Sequence, residues 1–141
     1  MTIYTLGYVG WKMEDIEAVV KRLDAILVDV RMVPRSRAPI WNGSTLHKRL
    51  GDRYIWLREF GNRNYKGSVE QIEIADFPAG AAKLQAIAAS GCVIILLCGC
   101  PDVATCHRKI LAEWLAQAWK AGIVHLTRPD NGIRNGQPKL F

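Results

Sequence analysis

Four cysteines, Cys92, Cys98, Cys100 and Cys106, fall within fifteen residues of a 141-residue chain, and the last leads directly into His107 and Arg108. Thiols, an imidazole and a guanidinium at this density suggest three kinds of chemistry. Where a strand, a tight turn and a helix start follow one another, free backbone N–H groups favour an anion, and Arg108 in the first turn adds charge. In that field the Cys106 thiol is expected to have a depressed pKa and to act as a nucleophile or redox thiol, with Cys98 beside it. Cys98, Cys100, Cys106 and His107 are also zinc-ligand types, although their spacing lacks the paired C-x2-C knuckles of structural sites. Plainer roles compete: Cys98 as a small core residue ending a buried strand, and His107 as a group that orients a neighbouring loop. Adjacent helix positions point in different directions, so His107 is not expected to activate Cys106 directly. No cysteine stands six residues before an arginine, as a phosphatase-like loop requires, and neither a Walker loop nor a GxGxxG turn occurs.

Asp29, Arg31, Ser36 and Arg37 form a second set. Asp29 closes an apolar stretch, where an unpaired carboxylate would be costly. It is therefore either a partner for the donors of a nearby loop or a catalytic acid/base. Arg31 and Arg37 offer planar forks that match phosphate oxygens, and Pro34 stiffens the loop presenting them. Ser36 and Tyr8 supply hydroxyls to the same expected ligand site.

Residues 31–66 hold seven Arg and two Lys against Asp52 and Glu59, a net +7, whereas the whole chain carries +6. The remainder is close to neutral, so the positive charge has a location. Trp41, Tyr54, Trp56 and Tyr65 lie within this segment. Arginines interleaved with aromatics suit a nucleic-acid backbone with stacked bases; the other reading is a solvated face whose aromatics, Trp56 above all, point into the core. At the terminus, Gln137-Pro138-Lys139-Leu140-Phe141 is similar to the peptide by which bacterial DNA-processing proteins dock on the sliding clamp. Leu140 and Phe141 would fill an apolar pocket of the partner while Gln137 fixes register, unless they fold back onto their own domain.

These groups need a scaffold, and apolar periodicity supplies one. Strands are expected at Ile3–Leu6, Ala25–Val30, Tyr54–Leu57, Val93–Leu97 and Ile123–Thr127. Helices are expected from Met13, Ile16, Val19, Val20 and Leu23, over Thr45–Leu50, from Asp76-Phe77-Pro78 to Ser90, and from Ile110 through Trp119, stopping at Gly122. Residues 61–75 read as a surface excursion. Strands alternating with helices predict one three-layer α/β domain over residues 1–128, a mostly parallel sheet of about five strands with helices on both faces, followed by a polar tail at 129–141. With 50% apolar and 23% charged residues the chain is not of the disordered class, and its longest apolar run is far too short to span a bilayer. Clustered cysteines in a segment without a signal peptide suggest a reducing, cytoplasmic setting. Ligands in such sheets bind beyond the carboxyl ends of the strands, where four of the five expected loops carry arginine.

Leu27-Val28-Asp29-Val30-Arg31 with Pro34, Ser36 and Arg37, then Leu96-Leu97-Cys98 and Cys106-His107-Arg108, resembles the domain of unknown function family 488, and Thr5-Leu6-Gly7-Tyr8 is similar to its first strand and turn. The resemblance runs along essentially the whole chain and implies a small, soluble, cytoplasmic prokaryotic α/β domain of a family without an established reaction. This family often has His and Ser where the chain has Tyr8 and Val9, and usually has Glu where the chain has Cys100. A Leu-Phe ending is similar to many members. The leading expectation is a site at the carboxyl edge that binds a phosphate-bearing ligand, a nucleotide or nucleic acid, through Arg31, Arg37 and Arg108, with thiol chemistry at Cys98 or Cys106 and no bound cofactor. The alternatives are a non-enzymatic module that docks on the sliding clamp and a zinc-stabilised structural domain.

Overall fold

The apolar stretches at Ala25 and Val93 lack polar alternation because both become central strands, covered on each face. The computed structural model describes residues 1–67, 71–100 and 102–129. In chain order the elements are β1 (Thr2–Gly7), α1 (Met13–Leu23), β2 (Ala25–Asp29), α2 (Gly43–Leu50), β3 (Tyr54–Trp56), α3 (Phe77–Ala88), β4 (Val93–Cys98), α4 (His107–Trp119) and β5 (Gly122–Leu126). The five strands form one parallel sheet in the order β3-β2-β4-β1-β5. The predicted fold class holds, with the sheet parallel throughout.

From β1 the chain moves one way across the sheet to β2 and β3, then returns the other way to β4 and β5. Right-handed crossovers therefore place α1 and α2 on one face and α3 and α4 on the other. The two cores follow. Met13, Ile16, Val19, Val20 and Leu46 pack on Leu6, Leu27, Ile95 and Leu97. Leu84, Leu111, Ala112 and Leu115 pack on Ile3, Val28, Ile94 and Leu96, the alternate strand positions.

Asp76 caps α3 by accepting from Ala79 N, with Pro78 in the first turn as expected. The fourth helix ends earlier than Gly122 suggests: Lys120 takes the left-handed conformation at φ 54° and stops it, a residue type that composition does not flag. Among the described residues no helix is long and apolar enough to cross a membrane.

At the carboxyl edge, β4 sits between β2 and β1, and its chain leaves toward the opposite face from both neighbours. A crevice forms at such a switch point. Backbone bonds from Val30 N to Leu97 O (3.0 Å) and from Tyr8 N to Cys98 O (2.9 Å) extend the ladder past the strands and bring three loops side by side.

Candidate functional site

At the end of β2 the Asp29 carboxylate is wholly buried and fully used. Its Oδ1 accepts from Arg31 Nε (2.8 Å) and Arg31 N (3.1 Å), and its Oδ2 accepts from Arg31 Nη2 (2.6 Å) and Tyr54 OH (2.6 Å). Four donors fill the sites a carboxylate offers. Burial alone would lower the Arg31 pKa, but the Asp29 bonds and charge outweigh it and raise it. Burial, then the Asp29 charge, raises that of Tyr54. Arg31 Nη1 donates to Tyr8 OH (3.3 Å), its guanidinium lies over the Tyr8 ring, and Tyr8 stacks on Trp41 at 5.1 Å. Of the two roles open to Asp29, this geometry fits the partner for loop donors and leaves no free oxygen for acid/base work.

The end of β4 is organised differently. Cys98, Cys100 and Cys106 are free thiols whose sulfur atoms all lie within 4.8 Å of one another, with 4.0 Å between Cys98 and Cys100. Cys98 and Cys106 are buried and Cys100 is half-buried. Spacing lacking zinc knuckles nevertheless converges, because Cys106 is not a helical residue: it is the N-cap of α4, with extended φ −106° and ψ 142°. That conformation turns its thiol back toward β4. It also corrects the expected divergence of Cys106 and His107, since His107 belongs to the same cluster. Its Nε2 donates to Val30 O at 2.7 Å, and its Nδ1 faces Cys98 Sγ at 3.8 Å.

The expected depression of the Cys106 pKa is not found. Hydrogen bonds with Cys106 and Cys98 hold the Cys100 thiol far below its ordinary value. The same bonds to Cys100 push Cys106 and Cys98 up. Burial works against a charged His107, yet contact with Cys106 and the Val30 carbonyl raises its pKa. The three thiols therefore titrate together, and the hydrogen bonds among them favour loss of a proton at Cys100.

A cavity of about 470 Å³ opens onto this cluster, lined in part by Tyr8, Arg31, Met32, Cys98, Cys100 and His107. Its far wall comes from residues that sequence reasoning left as a surface excursion. Asn62 Oδ1 accepts from Asn64 N and Glu73 N (both 2.9 Å), and Asn62 bridges Ile74, so the chain folds back and brings Asn64, Tyr65 and Ile72 to the cavity. The Asn-rich turn at 62–64 was the available signal.

The expected convergence of Arg31, Arg37 and Arg108 does not occur. Arg31 is bound to Asp29, and Arg37 is exposed on its loop. Arg108 is buried on the opposite side of the Cys100 backbone, donating through Nη1 to the Cys100 carbonyl at 2.7 Å. Ser36 closes its own loop, accepting from Ala38 N and donating its N–H to Asn42. In the basic segment, Arg49 pairs with Glu17 and Arg53 with Asp24, so part of its charge is neutralised by α1 and the residue that caps it. Trp56 is 42% exposed rather than core: it shares the parity of buried Tyr54 but is the last residue of a short edge strand, with its ring N–H given to the Arg31 carbonyl. Gln137, Leu140 and Phe141 lie outside the described residues.

A parallel three-layer α/β sheet with a thiol cluster at its carboxyl switch point defines the class of protein. The chain belongs to the family described as Domain of unknown function DUF488, whose model matches residues 16–115, from α1 into α4. No curated protein and no solved structure matches the chain.

Proposed function

We propose that Cys98, Cys100 and Cys106 bind a thiophilic divalent metal ion, zinc foremost, and that the adjoining cavity admits a small ligand to the metal's open side. One observation carries this reading: three sulfurs within 4.8 Å of one another. Zinc–thiolate bonds are about 2.3 Å long, so sulfurs at neighbouring tetrahedral corners stand about 3.8 Å apart. Cys98 and Cys100 are already at 4.0 Å. The hydrogen bond of His107 Nε2 to a backbone carbonyl fixes the ring in the manner usual for metal-binding histidines, leaving Nδ1 beside Cys98. Three thiolates around a divalent ion leave one net negative charge, and beside it Arg108 Nη1 donates to the Cys100 carbonyl. Glu, the residue that members of the family usually carry where this chain has Cys100, is likewise an anionic donor. Tyr8, Met32, Val33, Tyr65 and Ile72 give the cavity an apolar lining suited to a small organic ligand.

The test is elemental analysis of protein purified under reducing conditions, followed by zinc titration and cobalt substitution. One ion per chain is expected, with thiolate-to-cobalt charge-transfer bands. Zinc should protect Cys100 from alkylation. Cys100→Ser should lose the ion, whereas Cys92→Ser, outside the cluster, should keep it. No uptake of metal, together with alkylation of Cys100 unaffected by excess zinc, would overturn the proposal and return the cluster to metal-free thiol chemistry.

A further inference from the structure

Behind the Cys100 backbone the carboxyl edge holds a second cavity, of about 480 Å³, between the ends of β1 and β5. Gly10, Trp11, Arg108, His125, Thr127 and Arg128 are among the residues around it. Arg108 is 3% exposed, and its Nε has no hydrogen-bond partner among the described residues. A buried guanidinium N–H without an acceptor is costly, and a ligand oxygen would remove the cost.

The neighbours of Arg108 share its sign. Arg128 lies along the turn at Gly10, which has φ +91° and whose added Cβ would stand 3.0 Å from Arg128 Nη1. A side chain there would displace the guanidinium, so the left-handed glycine makes its seat. Thr5 Oγ1 is 2.6 Å from His125 Nδ1, which leaves Nε2 as the imidazole nitrogen available to a ligand. Burial, and then the charges of Arg108 and Lys109, lower the His125 pKa, as a positive surrounding would. Glu113, the carboxylate that opposes this shift, is paired with Lys109 at 2.7 Å. No described residue lining the cavity carries a carboxylate.

We propose that this second cavity binds the phosphate group of a small phosphorylated ligand through Arg108, Arg128 and His125, with Trp11 and Val9 against its organic part. Two guanidinium forks match phosphate oxygens, and a cavity of this volume accommodates a mononucleotide-sized molecule. The sequence placed a phosphate among Arg31, Arg37 and Arg108; the geometry keeps only Arg108 and supplies different partners. This site is independent of the thiol cluster, which it touches only through the Cys100 carbonyl.

Calorimetric titration with inorganic phosphate, AMP and adenosine tests the proposal on the full chain. AMP should bind more tightly than phosphate, and adenosine should show no binding. Arg128→Ala, at an exposed position that leaves the fold intact, should weaken AMP by about tenfold or more. Lys48→Ala removes the same charge from exposed α2 and should change nothing, and Cys100→Ser should keep full AMP affinity while losing metal. Absence of binding by both phosphate and AMP would overturn the site. So would adenosine binding as tightly as AMP, or equal weakening by Arg128→Ala and Lys48→Ala.

Discussion

Two neighbouring strands end in buried clusters of ionisable groups, and they treat those groups in opposite ways. After β2, Asp29 accepts four hydrogen bonds, Arg31 is spent on Asp29 and Tyr8, and Tyr54 is spent on Asp29. After β4, three thiols and an imidazole lie together with only weak sulfur hydrogen bonds among them, facing a cavity. A carboxylate with every lone pair filled holds loops in place. A group of soft donors joined only by long sulfur contacts has capacity left for a further partner. Saturation, more than charge or burial, separates architecture from site at this sheet edge.

That contrast makes opposite demands on substitutions. Asp29→Ala leaves the Arg31 guanidinium buried without its partner, and breaking such a pair costs about 3–5 kcal/mol. Denaturant unfolding should show that loss, while zinc stoichiometry of the folded fraction stays at one. If Asp29→Ala instead folds normally and loses metal, the division between the two strand ends fails. Cys100→Ser should do the reverse. Outer groups around a metal commonly change affinity 10–100-fold, so loss of a direct thiolate should cost at least about 100-fold, with apo stability nearly unchanged. Competition with a chromogenic chelator measures the first quantity and chemical denaturation the second.

Much of the scaffold was legible in the sequence. Continuous apolar runs mark β2 and β4 as central, and the cost of an unpaired carboxylate pointed to a partner for Asp29 before that partner was visible. The site was legible as a set of residues but not as an arrangement. Residue spacing treats Cys106 and His107 as neighbours on a helix; an extended N-cap makes them converge. Four arginine loops at one edge were correctly anticipated, yet the loop position does not fix the side-chain direction, and Arg31, Arg37 and Arg108 end in three environments. Of the two readings open for Trp56, the inward one fails although parity pairs it with buried Tyr54, because alternation does not show that a three-residue edge strand ends at this residue. Residues 62–64 and 71–74 meet through a return contact of the Asn62 side chain, and the Asn-rich turn announces a turn there but not what it returns to.

Gly7 lies where the two arrangements meet. A Cβ there would stand 2.0 Å from the Cys100 carbonyl oxygen and 2.8 Å from Arg108 Nη1. Backbone cannot yield as a flexible side chain can, so Gly7→Ala must push the Cys100 turn away from β1. Overpacking of this kind costs about 1–3 kcal/mol. The displacement acts on the thiols and on Arg108, so metal affinity and AMP affinity should fall together. If only stability falls, the Cys100 turn is not what positions either site.

The smallest expected effect isolates the saturated side. Tyr54→Phe removes one of four donors to Asp29 and leaves the ring packed, for a cost of about 1–2 kcal/mol at neutral pH. The pH dependence has a definite sign. Burial and the Asp29 charge raise the Tyr54 pKa in the folded chain above the ordinary tyrosine value. Its contribution is therefore complete below about pH 10, where unfolded tyrosine keeps its proton, and declines above it as the unfolded chain ionises first. The stability difference between the parent chain and Tyr54→Phe should be constant from pH 7 to about 9.5 and shrink beyond that, with zinc and AMP affinities unchanged throughout. A difference that grew with alkaline pH would mean that Tyr54 ionises more readily in the folded chain, and the β2 network would then be a titrating site instead of a closed support.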